Sequence, residues 1–225
     1  MGRAIRVVVR TIGELCITAG VFIGLFLVWQ LWWTDVVADR AQAQEVVALA
    51  ASFDRVEVAD PERPPPAPIP GDAFAIIHIP RFGDDYARPI LEDTHLEILE
   101  RGVGHYVGTA MPGEIGNVSL AGHRTTYGKP FNRIAELQPG DLIVIETSEA
   151  YHSYAVERHQ IVRPWQTEVV APVPDEPGVE PTEAWLTMTS CHPMWSAQER
   201  YILHSRLVES VPRDETTLAD LVRST

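Results

Sequence analysis

Cys191 closes an alternating stretch, Ala184 to Ser190, and is followed at once by His192-Pro193. That puts its thiol at a strand end rather than mid-core, where a free cysteine would act as a small buried hydrophobe. The chain has two cysteines, and Cys16 lies inside an apolar N-terminal run, so Cys191 is a lone thiol. A thiolate nucleophile needs a nearby cation or base to lower its pKa. Among eight histidines, His123 stands out, because Ala121-Gly122-His123-Arg124 ends a strand in small residues that leave room for a substrate. His192 is next to the cysteine, but neighbours in an extended chain point to opposite sides, which works against pairing. Cys191, His192 and His123 lack the C-x-x-C or H-x-H spacing of a zinc site. The acidic pair Asp175-Glu176 is too sparse for a calcium site. No metal and no cofactor is expected.

Three segments then have to position this chemistry. In the first, Val118 and Leu120 alternate with Ser119, Ala121 and His123. In the second, Leu186 and Met188 alternate with Thr187, Thr189 and Cys191. In the third, Tyr201, Leu203 and Leu207 alternate with Arg200, His204 and Arg206. With the apolar sets facing a core, His123, Cys191 and Arg200 fall on the opposite face and share one surface groove. Periodicity does not say whether the three strands are neighbours. Without further signal Arg200 reads first as a surface ion pair with Glu199 or Glu209, and Arg124 as pointing away from His123 to pair with an acid.

Around these segments, Phe74 to Ile79, Asp141 to Thr147 and Tyr151 to Arg163 read as strands, the last two as a hairpin. Thr94 to Arg101 reads as a short helix capped by Asp93 or Thr94, and Pro130 to Leu137 as another with proline near its first turn. Gln138 to Asp141 is a turn, and Trp165 to Thr182 a proline-bearing loop. Many short strands with turn signals predict a mostly β protein, a closed or nearly closed barrel of about eight strands with short helices. The polar tail, residues 209–225, reads as a short helix or frayed.

The N-terminus places this domain. Leu15 to Trp33 carries no charge. As a helix it spans roughly 28 Å, close to the roughly 30 Å hydrocarbon core of a bilayer. Trp29, Trp32 and Trp33 cluster at its far end, where indoles favour the membrane interface. Arg3, Arg6 and Arg10 precede it, and Asp35 and Asp39 follow it, so the positive-inside rule keeps the N-terminus cytoplasmic and exports the rest. The reading is a basic tail (1–10), a single-pass anchor in membrane lipid (11–34), a juxtamembrane helix and proline-rich spacer (35–71), a catalytic domain (72–208) and the tail. Ala41-Gln42-Ala43 has the form of a signal-peptide cleavage site, the competing reading, but the apolar run exceeds the usual signal-peptide core. Asp60 to Pro70 is dense in proline and predicts an extended polyproline II spacer. The formal net charge of −13 argues against nucleic acid, whose phosphates need a basic face.

At these residues the chain resembles the sortases, cysteine transpeptidases of Gram-positive cell surfaces, and most of all the class E type of actinobacteria. Gly116 to Gly128 looks like the family's histidine segment, and Thr187-Met-Thr-Ser-Cys191 like its T-L-x-T-C motif, with Met188 for Leu and Ser190 for Thr. Cys191-His192-Pro193 resembles the class E continuation, and Arg200 begins the last strand, where the family carries its arginine. The lid motif of pilus-building class C members is not evident.

The resemblance implies that Cys191 is the nucleophile, His123 the general acid and base, and Arg200 the group that positions substrate and stabilises an oxyanion. Thr126, Tyr127, Thr189, Ser190 and His192 are candidate substrate contacts. It further implies a substrate protein with a C-terminal sorting motif, L-P-x-T-G or L-A-x-T-G, cut between Thr and Gly, and a cell-wall precursor amine of the lipid II kind as acceptor. Two other classes stay open at this stage. One is an L,D-type cell-wall transpeptidase, whose S-H-G-C motif is absent. The other is a non-enzymatic stalked β-barrel surface binding protein.

Overall fold

The computed structural model describes residues 2–55 and 68–223. Most of the expected spacer lies outside the described residues. The element order is α1 (Gly2–Phe53), β1 (Ala73–His78), β2 (Ala87–Glu92), α2 (Leu96–Leu99), β3 (Val103–His105), β4 (Gly116–Ala121), β5 (Leu142–Glu146), β6 (Ala150–Val162), β7 (Ala184–His192), β8 (Glu199–Pro212) and α3 (Leu218–Arg223). The strands close into a barrel in the order β1-β2-β3-β4-β7-β8-β6-β5. Closure leaves no unpaired edge and fills the interior with side chains. That interior is Ile77, Ile90, Val118, Leu120, Ile143, Tyr154, Leu186, Met188 and Leu203 among others, all buried.

The alternation in β4, β7 and β8 holds: Val118, Leu120, Leu186, Met188 and Leu203 point inward. The opposite face is not bare. The β6–β7 connection folds back over it, and Val169 packs with Val162 and Ile202 outside the barrel. Beneath it Thr187 Oγ1 donates to Asn117 Oδ1 at 2.8 Å and lies 2.9 Å from His204 Nδ1. Asp175 in the same connection accepts from Arg158 and Gln160. Burial pushes His204 down to about 4.

Several local expectations change. The expected helix Thr94 to Arg101 is α2, a single turn whose N-cap is His95, without a side-chain cap. Asp93 Oδ1 accepts from the Thr94 and His95 amides just before it. The expected helix over Pro130 to Leu137 shrinks to a 3-10 turn, Ile134–Glu136. The β6–β7 loop holds a 3-10 turn, Thr167–Val170. In the described part of the tail, β8 runs to Pro212, and Leu221 of α3 packs with Val144 and Tyr151.

α1 is one unbroken helix, and its two halves meet different surroundings. Large apolar side chains of the first half are exposed, among them Phe22, Phe26, Trp29 and Trp32. It is long and apolar enough to cross a membrane. From Asp35 onward the helix docks on the barrel. Ala38, Gln42 and Phe53 are buried. Asp35 pairs with Lys129 at 2.7 Å, Asp39 with Arg88 at 3.0 Å, Glu45 with Arg101 at 2.8 Å and Asp54 with Arg213 at 3.0 Å. Positions 35, 38, 39, 42 and 45 fall on one face of the helix, and Asp54 lies one residue beyond its end.

Candidate active site

β4 and β7 are parallel neighbours, and β7 is antiparallel to β8. The three strands carrying the candidate residues are therefore contiguous, with the C-terminal ends of β4 and β7 and the start of β8 at one end of the barrel. In the β7–β8 ladder Cys191 stands directly opposite Arg200. Directly opposed residues present their side chains on one face, with Cβ atoms about 4.5–5.5 Å apart. Cys191 is half-buried at the strand end. Arg200 Nη1 donates to the carbonyls of Ala197 and Glu199, each at 2.9 Å. The Glu199 carboxylate is held by Arg163, so the ion pair with Arg200 does not form. Among the described residues no carboxylate pairs with the Arg200 guanidinium.

His123 lies two residues past the last paired position of β4, Ala121, which is opposite Thr189. Strand parity therefore does not orient it; the contacts just beyond the ladder do. The Gly122 amide donates to the Thr189 carbonyl at 3.1 Å, and Ser190 Oγ donates to the Gly122 carbonyl at 2.8 Å. Continued by two residues, the parallel register sets His123 level with Cys191. The small residue before it does not open space for a substrate, as the sequence suggests. A Cβ on Gly122 would come within 2.6 Å of the Phe131 ring, so the glycine makes room for the core instead. His123 Nε2 is buried and has no hydrogen-bond partner among the described residues. Its ring sits 5.1 Å from that of Tyr127. Burial pushes His123 below the usual imidazole value, opposed by the charge of Glu100.

The remaining candidates divide. Tyr127 touches His123, and its pKa is raised by Glu100, so the three form a short chain of contacts. Thr126 closes the turn, its carbonyl accepting from the Lys129 amide. Thr189 and Ser190 are buried and hold structure: Thr189 Oγ1 meets Tyr106 Oη at 3.0 Å, and Ser190 binds Gly122. The His192 ring lies 5.8 Å from Tyr201, and strand alternation sets it on the face opposite Cys191.

Arg124 is the residue that sequence reasoning misplaced. It is buried, and among the described residues it pairs with no acid. Its Nη1 donates to the Cys191 carbonyl at 3.1 Å, its Nε to the Asn132 carbonyl at 3.3 Å, and its guanidinium lies over the Tyr201 ring. A second fixed cation therefore sits behind the thiol. The available signal was an arginine directly after a strand end with no acid within a helical turn of it.

The family model for the sortase domain matches residues 77–208, which includes all three motifs and most of the closed barrel. The chain belongs to the sortase family. It is 40% identical to Sortase SrtE1 of Streptomyces coelicolor over 214 residues, covering 92% of this chain and 59% of that protein. It therefore spans well under two thirds of that relative. It is 33% identical to Sortase SrtE2 of the same organism, covering 98% of this chain and 90% of that one. Among solved structures it is similar to sortase E1 from Streptomyces coelicolor with a tripeptide in the active site. There the identity is 38%, the TM-score 0.62, and the match covers 69% of this chain and all of that one (100%). Sortases are transpeptidases, and the similarity is to class E members.

Proposed function

We propose that this sortase is a membrane-anchored cysteine transpeptidase that cuts a C-terminal sorting motif between Thr and Gly and transfers the protein to a cell-wall amine. The observation that carries this is the register of Cys191 against Arg200 at the barrel end where β4 delivers His123. The Cys191 thiolate attacks the Thr carbonyl carbon, and the Arg200 fork donates to the oxygen as charge develops there. The C–N bond breaks as imidazolium at His123 gives its proton to the leaving Gly amine, leaving a thioester. The acceptor amine then attacks the thioester, His123 takes its proton, and the thiolate departs. The Arg124 guanidinium, held on the Cys191 carbonyl, supports the end of β7 that presents the thiol. Burial lowers His123 and so works against the imidazolium that the first step needs.

The basic residues before the apolar half of α1 support a cytoplasmic N-terminus and an exported barrel. Docking of Asp35, Asp39 and Gln42 supports retention of the anchor, since cleavage after Ala43 would remove these contacts. The test is to mix the full chain in detergent with L-A-x-T-G and L-P-x-T-G peptides and read intact mass beside Cys191→Ala. A mass gain equal to the peptide ending at Thr, absent in the variant, is the expected result. No adduct and no cleavage with any sorting peptide, from folded protein, refutes the proposal.

A further inference from the structure

The direction in which α1 docks has a consequence for where substrates arrive. The active-site end of the barrel holds the ends of β4 and β7, the start of β8 and, through Val162 opposite Arg200, the end of β6. Asp35 and Gln42 reach the loop that follows β4 there. Asp35 takes Lys129 at 2.7 Å, and Gln42 Nε2 donates to the Tyr127 carbonyl at 3.0 Å. Asp39 pairs with Arg88 at the beginning of β2, which lies toward the same end. The last docked residues lie at the other end. Asp54 binds Arg213, whose amide donates to the Glu149 carbonyl in the β5–β6 turn. The helix thus runs from the active-site end to the base, and its apolar half leaves the barrel from the active-site end.

The helix is continuous, so this direction also sets the bilayer. Trp33 is two residues before Asp35, about 3 Å along the axis. The indoles of Trp29, Trp32 and Trp33 mark the interface. From that level the path to the site is short: Asp35 to Lys129, and then Tyr127, whose ring lies 5.1 Å from His123.

Two further indoles stand out at this end. Trp165 and Trp195 are 74% and 75% exposed, the first just after Val162 and the second in the loop between Cys191 and Arg200. Met194 beside it is also exposed. Trp185, at the start of β7 and so at the base, is instead flanked by the guanidinium groups of Arg158 and Arg206. An indole left bare in water is costly, whereas the headgroup region accepts both its apolar body and its N–H.

We infer that docked α1 holds the active-site mouth against the bilayer surface, with Trp165 and Trp195 as its lipid contacts. This rests on the membrane-anchor reading.

The test uses the full chain in vesicles of phosphatidylcholine and phosphatidylglycerol, in a Cys16→Ser, Cys191→Ala background. Single cysteines at Trp195→Cys, Trp165→Cys and, at the base, Glu149→Cys carry an environment-sensitive fluorophore. All three sites are exposed, so the fold does not depend on them. The quencher is phosphatidylcholine bearing a nitroxide near the headgroup. The expected result is several-fold stronger quenching at 195 and 165 than at 149. Equal quenching in a chain that floats with the vesicles overturns this inference and leaves the anchor reading intact. A chain that does not float overturns both.

Discussion

Cys191 and Arg200 face each other across the β7–β8 ladder, and the barrel, not a flexible loop, sets their spacing. Each is held by the strand on its other flank, β4 beside β7 and β6 beside β8. A thiol and a cationic fork placed this way meet a carbonyl from the same side, which is the arrangement an acyl-transfer step needs.

If Arg200 stabilises the oxyanion, Arg200→Ala lowers kcat/KM for peptide cleavage by about 10²–10³. Arg200→Lys keeps the charge but loses the fork, and recovers only part of the rate. Steady-state cleavage of a sorting peptide measures this. Near-normal turnover in Arg200→Ala removes the residue from the site.

Arg124 is expected to act through the thiolate. Arg124→Met keeps an apolar stem of similar length and removes the charge behind Cys191. Alkylation of Cys191 near neutrality is then expected to slow. The pH dependence of iodoacetamide labelling of Cys191 reports it. An unchanged profile with a lowered melting temperature would mean that Arg124 only braces the Asn132 and Tyr201 contacts.

Burial lowers His123, and Glu100 partly restores it. The acid limb of the kcat/KM profile is therefore expected below the ordinary imidazole value of about 6.5. Glu100→Gln withdraws the attraction for the imidazolium and moves that limb further down by a fraction of a pH unit. An upward move would contradict the assignment of Glu100 as the charge His123 feels.

Acid stability is set partly under the β6–β7 loop. Unfolded, His204 takes a proton near 6.5. Folded, it resists until about 4 because burial penalises the charged ring. The unfolded chain binds more protons across that window, so stability is intact above it and is lost as pH falls through it. His204→Gln should flatten the fall in melting temperature between neutral pH and about pH 4. His152, also lowered to about 4 by burial, keeps part of the slope. A variant as acid-sensitive as the parent would show that His204 contributes nothing.

Gly122→Ala tests how the β4 end is built. Its Cβ would meet the Phe131 ring at 2.6 Å, and overpacking of this kind costs about 1–3 kcal/mol. Chemical denaturation measures the loss, and Phe131→Leu in the same chain should return part of it.

Much of this protein is legible in residue order because the relevant physics is local. Period-two alternation in β4, β7 and β8 follows from strand geometry, and so does the side of the sheet on which Cys191 and Arg200 fall. The apolar helix is a matter of composition. β2 escaped notice because Pro89 breaks its pattern, yet β3 pairs only from Ile90 onward, so the proline forfeits no ladder bond on that side. β3 has three residues, too short for any period.

Tertiary structure decided the rest. Barrel closure made β4, β7 and β8 neighbours and carried His123 past the end of its ladder to the level of Cys191, a placement that parity does not govern. It turned Arg124 inward onto the Cys191 carbonyl, because the closed end offers backbone acceptors and an aromatic face where the sequence offers no nearby acid. It also laid α1 along the barrel by ion pairs between residues far apart in the chain. Such pairings depend on which surfaces meet, and no pattern within a single segment encodes that.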